Sequence, residues 1–371
     1  MTTLHTLYER FGQSPWIDNI RRDWLDDGTL TALVEQGVRG VTSNPSIFAK
    51  ALATSSAYDA SVARHADLDA EPLFEALAVE DVRDACDVLR GVHDAAAREF
   101  SAGRRRHGDG FVSLEVSPRL ARDTAATVAA ARRLAAAVDR PNVMIKIPAT
   151  VEGLPAVTAV LGEGINVNVT LIFSLTRYSQ VLDAWLSGLE FASANGHDLG
   201  RLASVASFFV SRVDTAVDAL LEETDPRRGT TANAQAARAY QLYRDRVAGE
   251  RASALLAAGA QVQRPLWAST SVKNPAYDEL LYVERLVGDE TVNTMPDATL
   301  TATLARGEFS SSPLLDPADT RGVAALLDDL PPNVELDAVT ERLEVEGVSA
   351  FAASYDELLS TVSATRARLL R

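Results

Sequence analysis

Cysteine is almost missing from this chain of 371 residues: Cys86 stands alone, so no disulfide can form within it. Helical spacing places Cys86 among Val82, Ala85 and Leu89, as a small core residue. The five histidines, His5, His65, His93, His107 and His197, never fall at metal-ligand spacing, and no HExxH or paired-cysteine motif occurs. The expectation is no metal and no other cofactor. Basic charge is short, Lys+Arg 36 against Asp+Glu 51, giving a formal net charge of -15 and a pI near 4.8. A chain this acidic does not readily present the basic face that displaces counterions from phosphates, and it has no basic tract for anionic lipid. Nucleic acid and membrane surfaces are therefore not expected partners. No run of 18 apolar residues exists, and the opening MTTLHTLYERFG has neither a basic n-region nor an apolar h-region. A cytoplasmic location is expected.

Ordinary globular composition is present, with 47% hydrophobic and 23% charged residues, enough for a large core. Length alone suggests about two domains, although α/β barrels with insertions can use this much chain as one. Eight short β-like runs alternate with helical stretches, the mark of βα units around a parallel sheet. They are PWIDNI (15–20), VRGVTSN (38–44), GFVSLEV (110–116), NVMIKIP (142–148), INVNVTLIF (165–173), ASVASFFVS (203–211), RPLWAS (264–269) and TVNTM (291–295). Eight strands point to a (β/α)8 TIM barrel, a single domain over 1–371 with added helices at both ends. Ser117 with Pro118 predicts the N-terminus of an alanine-rich helix running to about Val138, and Gly37 the end of a helix carrying Leu30, Leu33 and Val34. More than sixty residues between the second and third runs predict a helical insertion. A last helix from about Glu335 to Arg371 is expected to pack on the barrel.

Within these runs polar and apolar residues fall on opposite parities. In INVNVT, Asn166, Asn168 and Thr170 share one face, and Ile165, Val167 and Val169 the other. Helices outside a barrel demand apolar outward side chains, so the amides and hydroxyls face the lumen. The same parity pairs Thr42 with Asn44, Ser113 with Glu115, and Met144 with Lys146. Active sites of such barrels lie at the C-terminal strand ends, and so many inward polar groups suggest a polyhydroxylated ligand.

Lysine is the rarest basic residue: only Lys50, Lys146 and Lys273 occur, arginine supplying 33 of the 36 basic side chains. Where charge alone suffices this sequence uses Arg, which cannot deprotonate; Lys146, inside the apolar run VMIKIP, is a choice about something else. Burial disfavours an ammonium, and a neutral amine can attack a carbonyl to form a Schiff base. The competing reading is a buried ion pair with an inward carboxylate such as Glu115.

The stretches WIDNI, GVTSNPSIF, VSLEVSPRLA, MIKIPAT, GINVNVTLIFS, SFFVSRVD and WASTSVKNP, in this order between about Trp16 and Leu300, resemble those of the transaldolases, (β/α)8-barrel class I aldolases of the pentose phosphate pathway. The length and the acidic C-terminal part look most like the longer actinobacterial-type branch. The resemblance implies that a dihydroxyacetone unit passes from a ketose phosphate to an aldose phosphate. It gives Lys146 the Schiff base, Glu115 proton shuttling through a water, and Asp18 removal of the C4 hydroxyl proton. Thr42 and Thr170 would hold that water or orient these groups, while Asn44, Asn168 and Ser207 would bind substrate hydroxyls. Asn44 before Pro45 reads equally as a turn residue, and Asp18 as a cap. Phe209 occupies a position where the related fructose 6-phosphate aldolases carry Tyr. Arg212 and Ser269 match phosphate contacts; an arginine that closely follows that serine in shorter members is missing, and Lys273 is assigned its role.

Two other functions stay open on these residues: a Schiff-base aldolase that frees dihydroxyacetone, and a noncatalytic sugar-phosphate-binding barrel. Sugar phosphates are the expected small-molecule partners, with the chain a monomer or homodimer.

Overall fold

A computed structural model describes residues 2–310 and 312–370. Seven parallel strands form one sheet: β1 (Ser14–Ile17), β2 (Val112–Glu115), β3 (Val143–Pro148), β4 (Val167–Ile172), β5 (Ser204–Phe209), β6 (Gln263–Ala268) and β7 (Val292–Met295). Their order, β1-β7-β6-β5-β4-β3-β2, runs in chain sequence from β2 to β7 and returns to β1. The gap between β1 and β2 is filled by the predicted second strand, of which only Val41 forms bridges, to Ile17 and to Val112. Backbone bonds still run on both sides: Ile17 N–H donates to the Gly40 carbonyl (3.0 Å) and Val41 N–H to that of Phe111 (2.9 Å). The sheet thus closes on itself as an eight-stave TIM barrel.

The second stave is shorter than the expected 38–44 because both its ends turn early. At Gly40 the chain passes against the Trp16 indole, where a Cβ would come within 2.3 Å of a ring carbon. After Ser43 the chain enters the Pro45–Thr54 helix, with Asn44 as N-cap and Pro45 in the first turn.

The parity rule holds along β4. Val167 and Val169 face the covering helices, while Asn168 and Thr170 point inward, all buried. Asn166 lies just below the strand and instead staples the staves, its amide bonding the carbonyls of Pro141 and Val143 and the Ala203 N–H. Leu171 has φ +60° at an irregularity in the β4–β5 register, a conformation that costs a β-strand residue on the order of 1–3 kcal/mol.

One helix start differs from expectation. Pro118–Leu120 is a separate 3-10 turn without a side-chain cap from Ser117, and the alanine-rich helix runs Thr124–Val138 from Asp123, which accepts from Ala126 N–H at 2.9 Å. Asp123, a stronger cap at the right spacing, sets the boundary. Gly37 does end the Thr29–Glu35 helix, at φ +110°. The insertion between the second stave and β2 holds helices Pro45–Thr54, Asp59–Arg64, Ala70–Val88 and Arg90–Ser101. Cys86 is fully buried there beside Val82, Ala85 and Leu89. The last helix, Leu336–Leu369, packs across the barrel's top against the Pro45–Thr54 and Ala70–Val88 helices and the end of β4.

Candidate active site

The C-terminal strand ends surround a cavity of about 150 Å³, and ten of the twelve residues singled out from the sequence line it: Asp18, Thr42, Asn44, Lys146, Thr170, Ser207, Phe209, Arg212, Ser269 and Lys273. They come from six staves. The other two, Glu115 and Asn168, are the strand neighbours of Lys146 on either side.

Parity places Lys146 in the lumen, with β2 and β4 in register on either side, so that Glu115 and Asn168 are its strand partners. Lys146 Nζ lies 3.3 Å from Glu115 Oε2, the two side chains 6% and 3% exposed, and donates to the Ser43 carbonyl at 3.1 Å. The buried ion pair considered above therefore exists. It is a loose one: the Glu115 oxygens, like the Thr170 hydroxyl, make no well-directed hydrogen bond among the described residues. Burial raises the Glu115 pKa, and the Lys146 charge opposes this only in part.

Asp18 follows β1 at the rim. Thr42 Oγ1 donates to Asp18 Oδ1 at 2.6 Å, and lies 2.7 Å from Thr294 Oγ1, so the proton for that second contact comes from Thr294. Burial raises the Asp18 pKa against the opposing effects of the Lys146 charge and the Thr42 bond. Asp18 is thus no helix cap but a carboxylate oriented from one side.

A second chain of hydrogen bonds fixes the floor. Ser207 Oγ donates to Asn168 Oδ1 (2.7 Å), and Asn168 Nδ2 donates to Ser113 Oγ (3.0 Å). With its proton committed, the Ser207 oxygen is left to accept from a ligand hydroxyl. Asn44 serves both of its sequence readings: Oδ1 accepts from Ile47 N–H at 3.1 Å as a cap, and the residue lines the cavity.

Toward the helix that follows β5 the cavity turns cationic. Arg212 and Lys273 form no salt bridge to any carboxylate among the described residues, and Lys273 Nζ donates to Ser271 Oγ at 2.6 Å. Burial lowers the Lys273 pKa, and the Arg212 charge lowers it further; burial lowers Arg212 as well. Two like charges in one half-buried place favour an anion between them. Ser269 stands at φ +57°, its hydroxyl 2.9 Å from that of Ser211, a strained backbone that aims the side chain into the site. A wider cavity of about 500 Å³ adjoins, sharing Asp18, Asn44, Arg212 and Phe351 and adding Lys50 and Arg21. All three lysines of the chain therefore line this pair of cavities.

Sequence reasoning missed Thr294, the Ser43 carbonyl, Ser113 as a bonding partner and Phe351. Thr294 had a usable signal, because it lies in the seventh strand in register with Trp16. A backbone carbonyl carries none.

The chain matches, over residues 15–362, the family model described as transaldolase/fructose-6-phosphate aldolase. The chain belongs to that family. Curated relatives agree: a transaldolase of Saccharopolyspora erythraea is 49% identical over 95% of this chain and 94% of its own length. Transaldolase 1 of Streptomyces coelicolor is 50% identical over 95% and 92%, and a transaldolase of Thiobacillus denitrificans 49% identical over 95% and 98%. Among the described residues no helix is long and apolar enough to cross a membrane.

Proposed function

We propose that this chain is a transaldolase of the pentose phosphate pathway, moving a dihydroxyacetone unit from sedoheptulose 7-phosphate or fructose 6-phosphate to glyceraldehyde 3-phosphate or erythrose 4-phosphate. The observation that carries the reading is one buried lysine amine, 3.3 Å from a carboxylate, in a cavity whose other end holds two unpaired cations. The Lys146 amine attacks C2 of the ketose, the C2 oxygen takes a proton, and loss of water leaves a protonated imine. Glu115, acting through a water that Thr170 helps to hold, moves the protons of these steps; its raised pKa suits alternate acid and base roles. Asp18 then takes the C4 hydroxyl proton. The C3–C4 bond breaks, its electron pair passes to the imine, and an aldose phosphate leaves.

The three-carbon enamine left on Lys146 is held by Asn44, Asn168 and Ser207 through its hydroxyls, Asn168 acting partly by fixing Ser207. Its C3 attacks the aldehyde of the acceptor, and the steps run backward to release the new ketose phosphate. Arg212, Ser269 and Lys273 bind the phosphate of each sugar in turn, an arrangement in which a guanidinium grips two oxygens at once. Phe209 gives the site an apolar wall where a hydroxyl would favour proton delivery and early release. Neither a metal nor an organic cofactor enters this sequence of steps.

The experiment is reductive trapping. Borohydride added with fructose 6-phosphate should attach one dihydroxyacetone- or hexose-phosphate-derived mass to the peptide that contains Lys146, and net fructose 6-phosphate consumption should require erythrose 4-phosphate. Label on any other peptide, or none, would remove Lys146 as the nucleophile. Rapid consumption without an acceptor would identify an aldolase that frees dihydroxyacetone.

A further inference from the structure

One wall of the cavity comes from no strand. The helix Leu336–Leu369 lies across the barrel's top, and the centroid of its Phe351 ring is 5.7 Å from Lys146 Nζ, with the residue 7% exposed. The helix is pinned on both sides of that ring. Glu344 pairs with Arg177 at 3.0 Å, Tyr355 Oη donates to Glu71 at 2.9 Å, and Asp356 accepts from Arg119 at 2.6 Å. Ser46 Oγ donates to Ser354 Oγ at 2.9 Å. One turn before the ring, Gly347 rests on Leu171 and Phe173 so closely that a Cβ would lie 3.3 Å from each. Four parts of the barrel's rim thus fix a helix from the far end of the chain, and an apolar ring is what it delivers beside the reactive nitrogen.

The consequence concerns the enamine, and it rests on Lys146 forming the Schiff base. Two fates compete once the first aldose has left. In transfer, C3 forms a bond to the acceptor aldehyde. In release, C3 is protonated to give back the iminium, water adds to C2, and the C2–N bond breaks as the nitrogen takes a proton, so that dihydroxyacetone departs with an oxygen from water. Both fates end with water adding to an iminium at C2, the carbon bonded to Nζ, but only the second begins with a proton delivered to C3. The geometry points to Phe351 as a specificity-determining residue: its ring walls the space beside Nζ, where the enamine lies, with hydrocarbon, keeps out stray water that could carry a proton to C3, and so biases the intermediate toward transfer.

The test compares the parent enzyme with Phe351→Ala and Phe351→Leu, using fructose 6-phosphate. The readout is the ratio of dihydroxyacetone released without an acceptor to ketose formed with one. Phe351→Ala should raise this ratio on the order of tenfold, whereas Phe351→Leu, still apolar, should stay within about threefold of the parent. An unchanged ratio in Phe351→Ala overturns the inference. Should that variant not fold, Phe351→Val decides in the same way, a raised ratio supporting and an unchanged one overturning. Borohydride labelling of Lys146 in the parent is measured alongside; its absence is a failure of the Schiff-base reading, whereas labelling with an unmoved ratio is a failure of the role given to Phe351.

Discussion

Each end of this barrel buries a carboxylate against a basic side chain, and the two sites could hardly be more different in kind. At the lower end, Asp109 Oδ2 accepts from Ser14 (2.6 Å) and Arg39 Nε (2.7 Å), and Oδ1 from Trp16 Nε1 (3.0 Å) and Arg264 (3.2 Å). Every acceptor is used. Burial alone would raise the Asp109 pKa, but the Arg264 and Arg39 charges and the Ser14 bond outweigh it and hold the carboxyl well below the usual carboxylate range. At the upper end Glu115 has one loose contact to Lys146 and a raised pKa. Burial is common to both, so the number and fixity of partners decide the direction of the shift. The basic partner differs to match: arginine, always charged, where the task is to hold, and lysine, a residue type able to give up its proton, where the proposed mechanism needs a nucleophile.

The sharpest break in that comparison is Lys146→Arg. A long basic side chain remains beside Glu115, so the protein should fold, while transfer activity should fall at least about 10⁴-fold and the trapped adduct should vanish. Asp109→Asn probes the opposite end. It leaves two guanidiniums without their counter-charge, and stability should drop by about 3–5 kcal/mol, read from denaturant midpoints, with kcat of the folded protein unchanged. Because Asp109 has a depressed pKa when folded, its stabilising effect is present above the ordinary aspartate range and is lost as pH falls through the folded value; Asp109→Asn should flatten that part of the stability–pH profile. The smallest effect belongs to Thr42→Val. In the proposed mechanism Asp18 is ionised to take the C4 proton, and its pKa is raised by burial, so the acid limb of kcat should sit above the ordinary aspartate range. The Thr42 hydrogen bond opposes the rise; removing it should move the limb to still higher pH and lower kcat on the order of tenfold near neutrality. A limb that stays in place would mean that another group sets it.

Much of the upper end was legible because strand side chains alternate strictly. Once VMIKIP and INVNVT were read as barrel strands, parity put Lys146, Asn168 and Thr170 on one inner surface, and the resemblance added the groups at the strand exits. What escaped lay outside that logic. Phe351 lies more than fifty residues after the last strand, on a helix of which nothing local says which face meets the lumen. The Asp109 cluster joins residues 14, 39, 109 and 264, which appear in the sequence as isolated letters; Arg264 within RPLWAS was the one available hint. Ser117 misled because serine before proline is a common helix start, while Asp123, six residues on, had the better-placed oxygen.

The helix that carries Phe351 also has a bearing on how the enzyme is made. Its last turns are tied to segments synthesised some three hundred residues earlier: Arg366 donates to the Ala66 carbonyl, and Arg368 to Asp59. A ribosome therefore finishes the staves, Lys146 among them, before it has produced the helix that lies across their top. Termination between the last strand and residue 351 would yield a chain that owns every stave yet lacks its roof.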